Sequence, residues 1–425
     1  MKQIISPIKG TRDFYPENMA VRSWLYENIK QISQRYGYQE YDGPFLEPIE
    51  LYAAKSGEEL VKEQSFVFPD RSGDLITLRP ELTPTLARMV AQKQKQLVFP
   101  LRWWSFGPFW RYEKPQKGRS REFFQWNIDL IGIDTPEADA ELLSIIVSFF
   151  KAIGLSAAQV KIFINDRKLM EEQLCLLDIP PERHTKVFRL IDRKEKMEFQ
   201  EWESYAKGEG LSSSQINGLI NLLHDTELWK NSPNLIRIFQ ILETEAVSEY
   251  IEFDPNIIRG LDYYTSTVFE AKDVGGSVRR SILGGGRYDD LLAAVGGDPL
   301  PAVGFAMGDV VLSLILQEYG CIPSDIFAHP ARVLVTTFSQ EMFPYSLKLA
   351  HQLREKGINV VTYPEAANLN KQLKYADRMQ IPYVILLGPD EIAQNSLSLK
   401  SLKSGEQIRI SFLELDEKLL PILAG

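Results

Sequence analysis

Between Arg102 and Gly132 the chain reads RWWSFGPFWRYEKPQKGRSREFFQWNIDLIG, two strongly apolar runs separated by a polar interruption. The first run has the pattern of a buried strand ending at Arg111; the second, Phe123 to Ile131, reads as a strand returning beside it. Tyr112 to Arg121 is then the connecting loop, and its charges are mostly cationic: Lys114, Lys117, Arg119 and Arg121. Side chains alternate across a strand, so residues 125, 127, 129 and 131 share one face. That face carries the Gln125 amide and the Asp129 carboxylate, and Arg111 can point to it. A hairpin with a cationic tip suits a polyanion, either nucleotide phosphate or nucleic acid. Solvated charge is the default for Lys and Arg, but a charged tip between two such apolar strands calls for more.

The run WRYEKPQKGRSREFFQ resembles motif 2 of the class II aminoacyl-tRNA synthetases, in the form carried by the histidyl-tRNA synthetases. Other segments extend the resemblance in family order. Pro16 opens a helical pattern (Val21, Leu25, Ile29, Ile32, Tyr36) closed by Gly37, and a strand, Tyr38 to Glu47 with Pro44 inside it, follows. This pair resembles motif 1, which in the family builds a dimer interface. Phe66–Phe68 and Leu75–Leu78 flank the turn Asp70-Arg71-Ser72-Gly73 and lead into LRPELTP, with a helix from about Thr85 to Gln96. Glu81 can stabilise the unpaired amides at that helix start; the resemblance instead implies that it meets a bound α-amino group.

At 425 residues the chain accommodates two or three domains, and 44% hydrophobic with 25% charged residues is ordinary for a globular protein. It has no apolar run long enough to span a membrane and no signal-peptide core at MKQIISPIKGTRDF. Cys175 and Cys321 lie far apart, and His184, His224, His329 and His351 show no ligand spacing with them. Neither a disulfide framework nor a structural metal is expected, and a reducing, cytoplasmic setting fits. The net charge of −9 excludes a uniformly basic coat but not local phosphate-binding patches.

After the hairpin, Glu137 to Ile153 reads as a helix and Val160 to Ile164 as a strand. Residues 166–247 change to charged helical segments punctuated by Pro180-Pro181 and Ser212–Ser214. We expect a helical insertion here, interrupting a catalytic domain of residues 1–329; the resemblance implies that it approaches the tRNA acceptor stem, whereas charge runs by themselves usually only solvate. RGLDYYTSTVFE (Arg259 onward) resembles the segment peculiar to histidyl-tRNA synthetases and their paralogues. Gly284-Gly285-Gly286-Arg287-Tyr288 lacks the ending of a phosphate loop. Residues 330–425 alternate strand and helix as β-α-β-α-β, without a glycine-rich first turn. That domain resembles the anticodon-binding domain of class IIa synthetases, and Lys371, Lys374 and Arg378 fall near one helical face.

The expected fold class is therefore α+β: a mixed, mainly antiparallel sheet flanked by helices, a helical insertion, and a C-terminal α/β domain with a mainly parallel sheet. The resemblance implies activation of L-histidine by ATP with Mg²⁺, then transfer to tRNA(His), by a homodimer. It assigns Arg111 and Arg259 to the reacting phosphate. Glu81, Thr83, Gln125, Asp129, Tyr263, Tyr264 and Tyr288 go to histidine, and Arg111, Glu113, Arg119 and Arg121 to ATP. Lys114, Gln116 and Lys117 would meet the acceptor end, and Lys371, Lys374 and Arg378 the anticodon side. Asp129 is a shorter acid than the Glu familiar at that place. In PAVGFAMGDVVL, Val311 stands where motif 3 carries an ATP-binding Arg, and valine neither donates a hydrogen bond nor carries charge. Two alternatives stay open: Arg119 and Arg121 hold the outer phosphates, or activation is impaired. A paralogue, the regulatory subunit of ATP phosphoribosyltransferase, is the competing expectation. Val311 favours it, while Glu81 and the C-terminal domain favour the synthetase.

Overall fold

The computed structural model describes residues 4–53, 64–194, 197–258 and 264–424. Two compact units divide the chain, Met1–Ile322 and Pro323–Gly425. The first is built on strands β1 (Gln39–Glu40), β5 (Leu101–Trp110), β6 (Glu122–Ile131), β7 (Val160–Asp166), β8 (Ile251–Phe253), β9 (Thr267–Asp273), β10 (Leu283–Arg287) and β11 (Ala302–Gly308). They form one eight-stranded sheet in the order β1-β5-β6-β11-β10-β9-β7-β8. Every pairing in it is antiparallel except at the two edges, β1 with β5 and β7 with β8. A second, three-stranded sheet joins β2 (Leu46–Pro48), β3 (Phe66–Pro69) and β4 (Leu75–Leu78).

The uninterrupted strand expected over Tyr38 to Glu47 does not form. Gln39–Glu40 adds to the large sheet and Leu46–Pro48 to the small one, with Gly43 and Pro44 in the irregular link between them. Proline has no N–H to donate to a ladder and fixes its own φ, so a strand crossing it changes partners there.

Even-numbered residues of β6 (Trp126, Ile128, Leu130) share a core with Leu25, Ile29 and Ile32 of helix Pro16–Arg35 and with Phe149 of helix Pro136–Ala152. The odd-numbered face is thereby left to the other side of the sheet. There a separate core joins Leu86, Ala87 and Val90 of helix Thr83–Lys93 to Tyr264, Val268, Tyr288 and Leu292.

Among the described residues five α-helices lie between β7 and β8, from Arg167–Leu176 to Pro233–Thr244. Pro181 starts one of them, and Ser212 caps another through a reciprocal bond with Gln215. These helices are more than a solvated appendage, because Leu190, Trp202, Leu219 and Leu235 belong to the same core as Trp126. A buried polar chain adds to the attachment. Arg287 pairs with Asp139 at the start of helix Pro136–Ala152, and Asp139 Oδ2 accepts from Thr267 Oγ1 at 2.6 Å. Asn234 Nδ2, on the last insertion helix, donates to Thr267 Oγ1 at 3.0 Å and to Asp166 Oδ2 at 3.2 Å. Buried charges of this kind hold only when each lone pair and proton finds a partner.

The second unit has strands β12 (Val333–Val335), β13 (Val360–Thr362), β14 (Tyr383–Leu386), β15 (Ser396–Ser401) and β16 (Gln407–Ser411), ordered β13-β12-β14-β15-β16. The first three are parallel and are connected through helices Phe343–Glu355 and Leu369–Arg378; β15 and β16 extend the sheet antiparallel. Among the described residues no helix is long and apolar enough to cross a membrane.

Candidate active site

The open face of β6 is a polar strip in the middle of a sheet. Gln125 pairs across to Gly107 on β5 and Gly308 on β11; Asn127 pairs to Ser105 and Ala306; Asp129 pairs to Trp103 and Gly304. Directly opposed residues project from the same face, so five small neighbours and one tryptophan leave a trough above the strip. At Gly304 the approach is tight: a Cβ there would sit 2.1 Å from Asp129 Oδ1, so any larger residue would displace the carboxylate.

Three buried polar atoms around this trough make no hydrogen bond with any described residue: the Tyr41 hydroxyl, Gln125 Oε1 and Asn127 Nδ2. Each such atom costs about 1–3 kcal/mol, a cost that a polar ligand removes. Asp129, itself buried, accepts a short hydrogen bond from the Tyr288 hydroxyl. Burial pushes its carboxyl up to about 7, and the Tyr288 bond opposes the shift. Tyr264 shares the apolar cluster of Tyr288, so both rings wall the same region. Glu81 is buried just before helix Thr83–Lys93, next to Tyr52, whose hydroxyl reaches the Glu81 carbonyl at 3.4 Å.

Beyond Phe123 the strip opens into a cavity of about 910 Å³, lined among others by Arg111, Glu113, Arg119, Arg279, Arg280 and Val311. Arg111 Nε donates to the Pro80 carbonyl at 3.0 Å and the guanidinium lies over the Phe123 ring, 5.4 Å from its centroid. Its two Nη groups make no hydrogen bond with a described residue, so the fork is oriented and its outer donors are left for a ligand. Arg119 pairs with Glu113 at 3.0 Å.

Arg111, Glu113 and Arg119 thus line the cavity, and Gln125, Asp129, Tyr264 and Tyr288 gather along the trough. Arg121 does not join them. Its guanidinium stacks on Tyr112, 4.2 Å from the ring centroid, and its Nε donates to the Glu113 carbonyl, so it braces the loop instead of facing the cavity. Lys114, Gln116 and Lys117 are exposed at the loop tip. Arg259 and Tyr263 lie outside the described residues. Lys371, Lys374 and Arg378 are exposed on helix Leu369–Arg378 of the second unit, where Lys371 pairs with Glu365.

Tyr41, Asn127, Arg79 and Arg280 went unread. Asn127 carried a signal, since it lies in phase with Gln125 and Asp129. Arg79 did not: it is fully buried between Phe45 and Phe109, each ring centroid 4.6 Å from its Cζ, bonded to Asp42 and to the Pro108 carbonyl.

The family model described as Histidyl-tRNA synthetase matches residues 10–309, and that described as Anticodon binding domain matches residues 332–421. The chain is 38% identical over 422 residues to a chloroplastic/mitochondrial histidine–tRNA ligase of Arabidopsis thaliana, covering 97% of this chain and 86% of that protein. It is 36% identical to the histidine–tRNA ligase of Haloarcula marismortui, covering 95% of each. A crystal structure of histidyl-tRNA synthetase from Nostoc sp. PCC 7120 superposes with a TM-score of 0.81 at 26% identity, over 99% of this chain and 100% of that one.

The raised Asp129 pKa has a consequence for stability. The folded chain holds a proton there that the unfolded chain has released, so this group's contribution is complete below about pH 4 and is lost as pH rises through about 7. Asp129→Asn should therefore flatten the fall in urea midpoint between about pH 4 and pH 7. An unchanged slope would place the proton elsewhere.

Proposed function

This chain belongs to the histidyl-tRNA synthetase family, and we propose that the trough over β6 holds its histidine while the cavity beside Arg111 holds its ATP. Its reaction is that of the histidine–tRNA ligases: histidine is activated by ATP with release of pyrophosphate, then passed to the 3′ end of a tRNA. The observation that carries the site assignment is the group of unsatisfied buried polar atoms around the trough over β6, beside a cavity rich in arginine.

Activation is attack of a carboxylate oxygen on the α-phosphorus, with the bond to pyrophosphate breaking. Negative charge grows on the oxygens of that phosphorus, and a rigid guanidinium beside it is worth most there. Arg111 is suited to this because Pro80 and Phe123 fix its plane while its outer donors stay open. Arg259 would be the second cation. Glu81, Thr83 and Gln125 would take the α-amino group; Asp129, Tyr264 and Tyr288, with Tyr263, would frame the imidazole. A site whose polar atoms only the imidazole satisfies rejects other side chains strongly. Glu113 and Glu270 give the cavity hard oxygen donors suited to Mg²⁺ bound with ATP. That ion would neutralise charge on the outer phosphates.

Lys114, Gln116 and Lys117 would receive the acceptor end, and Lys371, Lys374 and Arg378 the anticodon side. A second copy of this chain would cover Ile4, Ile5, Phe45, Leu46, Phe68 and Leu75, all exposed and apolar. A reducing compartment such as the cytoplasm would keep Cys175 and Cys321 as thiols.

Histidine-dependent exchange of pyrophosphate into ATP tests the reading directly. Arg111→Ala should lower kcat in this assay by roughly 10²–10³ while the urea midpoint hardly moves; full turnover would refute its role. Silence of the native protein, with stimulation of a phosphoribosyltransferase, would favour the regulatory paralogue. Replacing Lys374 and Arg378 together by Ala should raise the KM for tRNA roughly 10-fold and leave exchange untouched. A loss of exchange would instead indicate misfolding. In sedimentation the protein should run at twice the mass of one chain, and Leu75→Glu with Phe68→Glu should shift it toward monomer.

A further inference from the structure

One wall of the cavity comes from the connection between β9 and β10, which presents Arg279, Arg280 and Ser281. Among the described residues the cavity is lined by five cations, Arg111, Arg119, Lys272, Arg279 and Arg280, against three carboxylates, Glu113, Asp192 and Glu270. Two of the cations are already engaged, Arg119 with Glu113 at 3.0 Å and Lys272 with Glu270 at 3.5 Å. Arg279 and Arg280 make no hydrogen bond or ion pair with any described residue. Of these two, Arg279 is exposed, whereas Arg280 is half-buried.

The position of Arg280 is set by Gly118 in the opposite loop. Gly118 has φ +82°, and a Cβ on it would stand 2.8 Å from Arg280 Cδ and 3.6 Å from Val311 Cγ2. The loop, the arginine stem and the valine methyl therefore meet at one point, and the missing side chain makes the space for Arg280. The adjacent wall is uncharged there, because the helix starting at Asp309 turns Val310 and Val311 to the cavity. A guanidinium in this position is partly desolvated and faces a like charge. Burial pushes its pKa down and Arg119 adds to that shift, with Glu113 opposing. Such a group is stabilised by an incoming polyanion and by little else on this wall.

We propose that Arg280 binds the triphosphate of ATP, providing from the β9–β10 connection the cation that Val311 does not provide from the neighbouring helix. Arg280 is then a binding residue acting alongside Arg111 and Arg119, and activation does not depend on a charge at position 311. The proposal rests on the assignment of this cavity to ATP.

The test compares the full-length native protein with Arg280→Ala and Arg280→Lys. ATP binding is read by equilibrium dialysis, KM values for ATP and for histidine by pyrophosphate exchange, and RNA use by tRNA charging. Arg280→Ala should weaken ATP binding and raise the KM for ATP roughly 10- to 100-fold, as expected for a lost charge-assisted bond. The KM for histidine should stay unchanged, and Arg280→Lys should recover part of the ATP affinity. Native ATP affinity in Arg280→Ala would overturn the proposal. Loss of charging with intact exchange would overturn it too, since the arginine would then serve the RNA. If the native protein binds ATP, Arg280→Ala weakens that binding, and neither exchanges pyrophosphate, then the role of Arg280 stands and the proposed activity falls.

Discussion

A strand in the middle of a sheet is buried on both faces, and polar groups there are costly unless something satisfies them. β6 carries Gln125, Asn127 and Asp129 on one face and Trp126, Ile128 and Leu130 on the other. The apolar face repays the fold through its packing with helices Pro16–Arg35 and Pro136–Ala152. The polar face is kept open by what stands opposite: Gly107, Ser105, Gly304, Ala306 and Gly308. Slip β6 by one residue and Trp126, Ile128 and Leu130 would fill the trough, with the Asp129 carboxylate turned into the helical core. The register of three strands is therefore what the site depends on.

Two buried arginines help to hold that register. Arg79 is clamped between Phe45 and Phe109 and bonds the Pro108 carbonyl, tying the turn after β4 to β5. Its neighbour Pro80 is the acceptor for Arg111, so the same turn aims the cavity's guanidinium. Arg287, at the end of β10, pairs with Asp139 and bonds the carbonyls of Ile133 and Thr135. It thereby fixes the strand that carries Tyr288 to the helix packed beneath β6. The insertion joins the same network through Asn234, which connects its last helix to the sheet beside Tyr264. At the opposite end, Arg12 reaches Asp309 at 2.8 Å, and Asp309 Oδ1 accepts from the Phe124 amide. The N-terminal segment thus braces both β6 and the helix that carries Val311.

Much of this was legible in one dimension. The hairpin over residues 102–132 shows as two apolar runs around a cationic loop, and period two places Gln125 and Asp129 together. Pro16 marks a helix start, and Pro180-Pro181 and Ser212–Ser214 mark breaks between helices, as local chemistry dictates. Other features were not. Arg121 is as cationic as Arg119 and two residues away, yet it lies on Tyr112 while Arg119 faces the cavity, because strand and loop geometry turn them differently. Tyr41 looks like any aromatic residue after a short strand. Its place at the trough comes from being carried beside Trp103, 5.4 Å between ring centroids, and toward Asp129.

What the sequence determined by itself is the set of parts: helices with their caps, apolar strands, a basic loop, and a chemical alphabet characteristic of one enzyme family. Local steric and hydrogen-bonding preferences act over a few residues, so they can be read from a few residues. The tertiary structure alone decided which side chains share a cavity. Arg280 and Val311 are far apart in the chain and meet only because Gly118, in a third segment, leaves space for both. Asp129 is a carboxylate of ordinary acidity until burial in the trough raises its pKa. Desolvation and proximity belong to the packed assembly, and no stretch of sequence contains them.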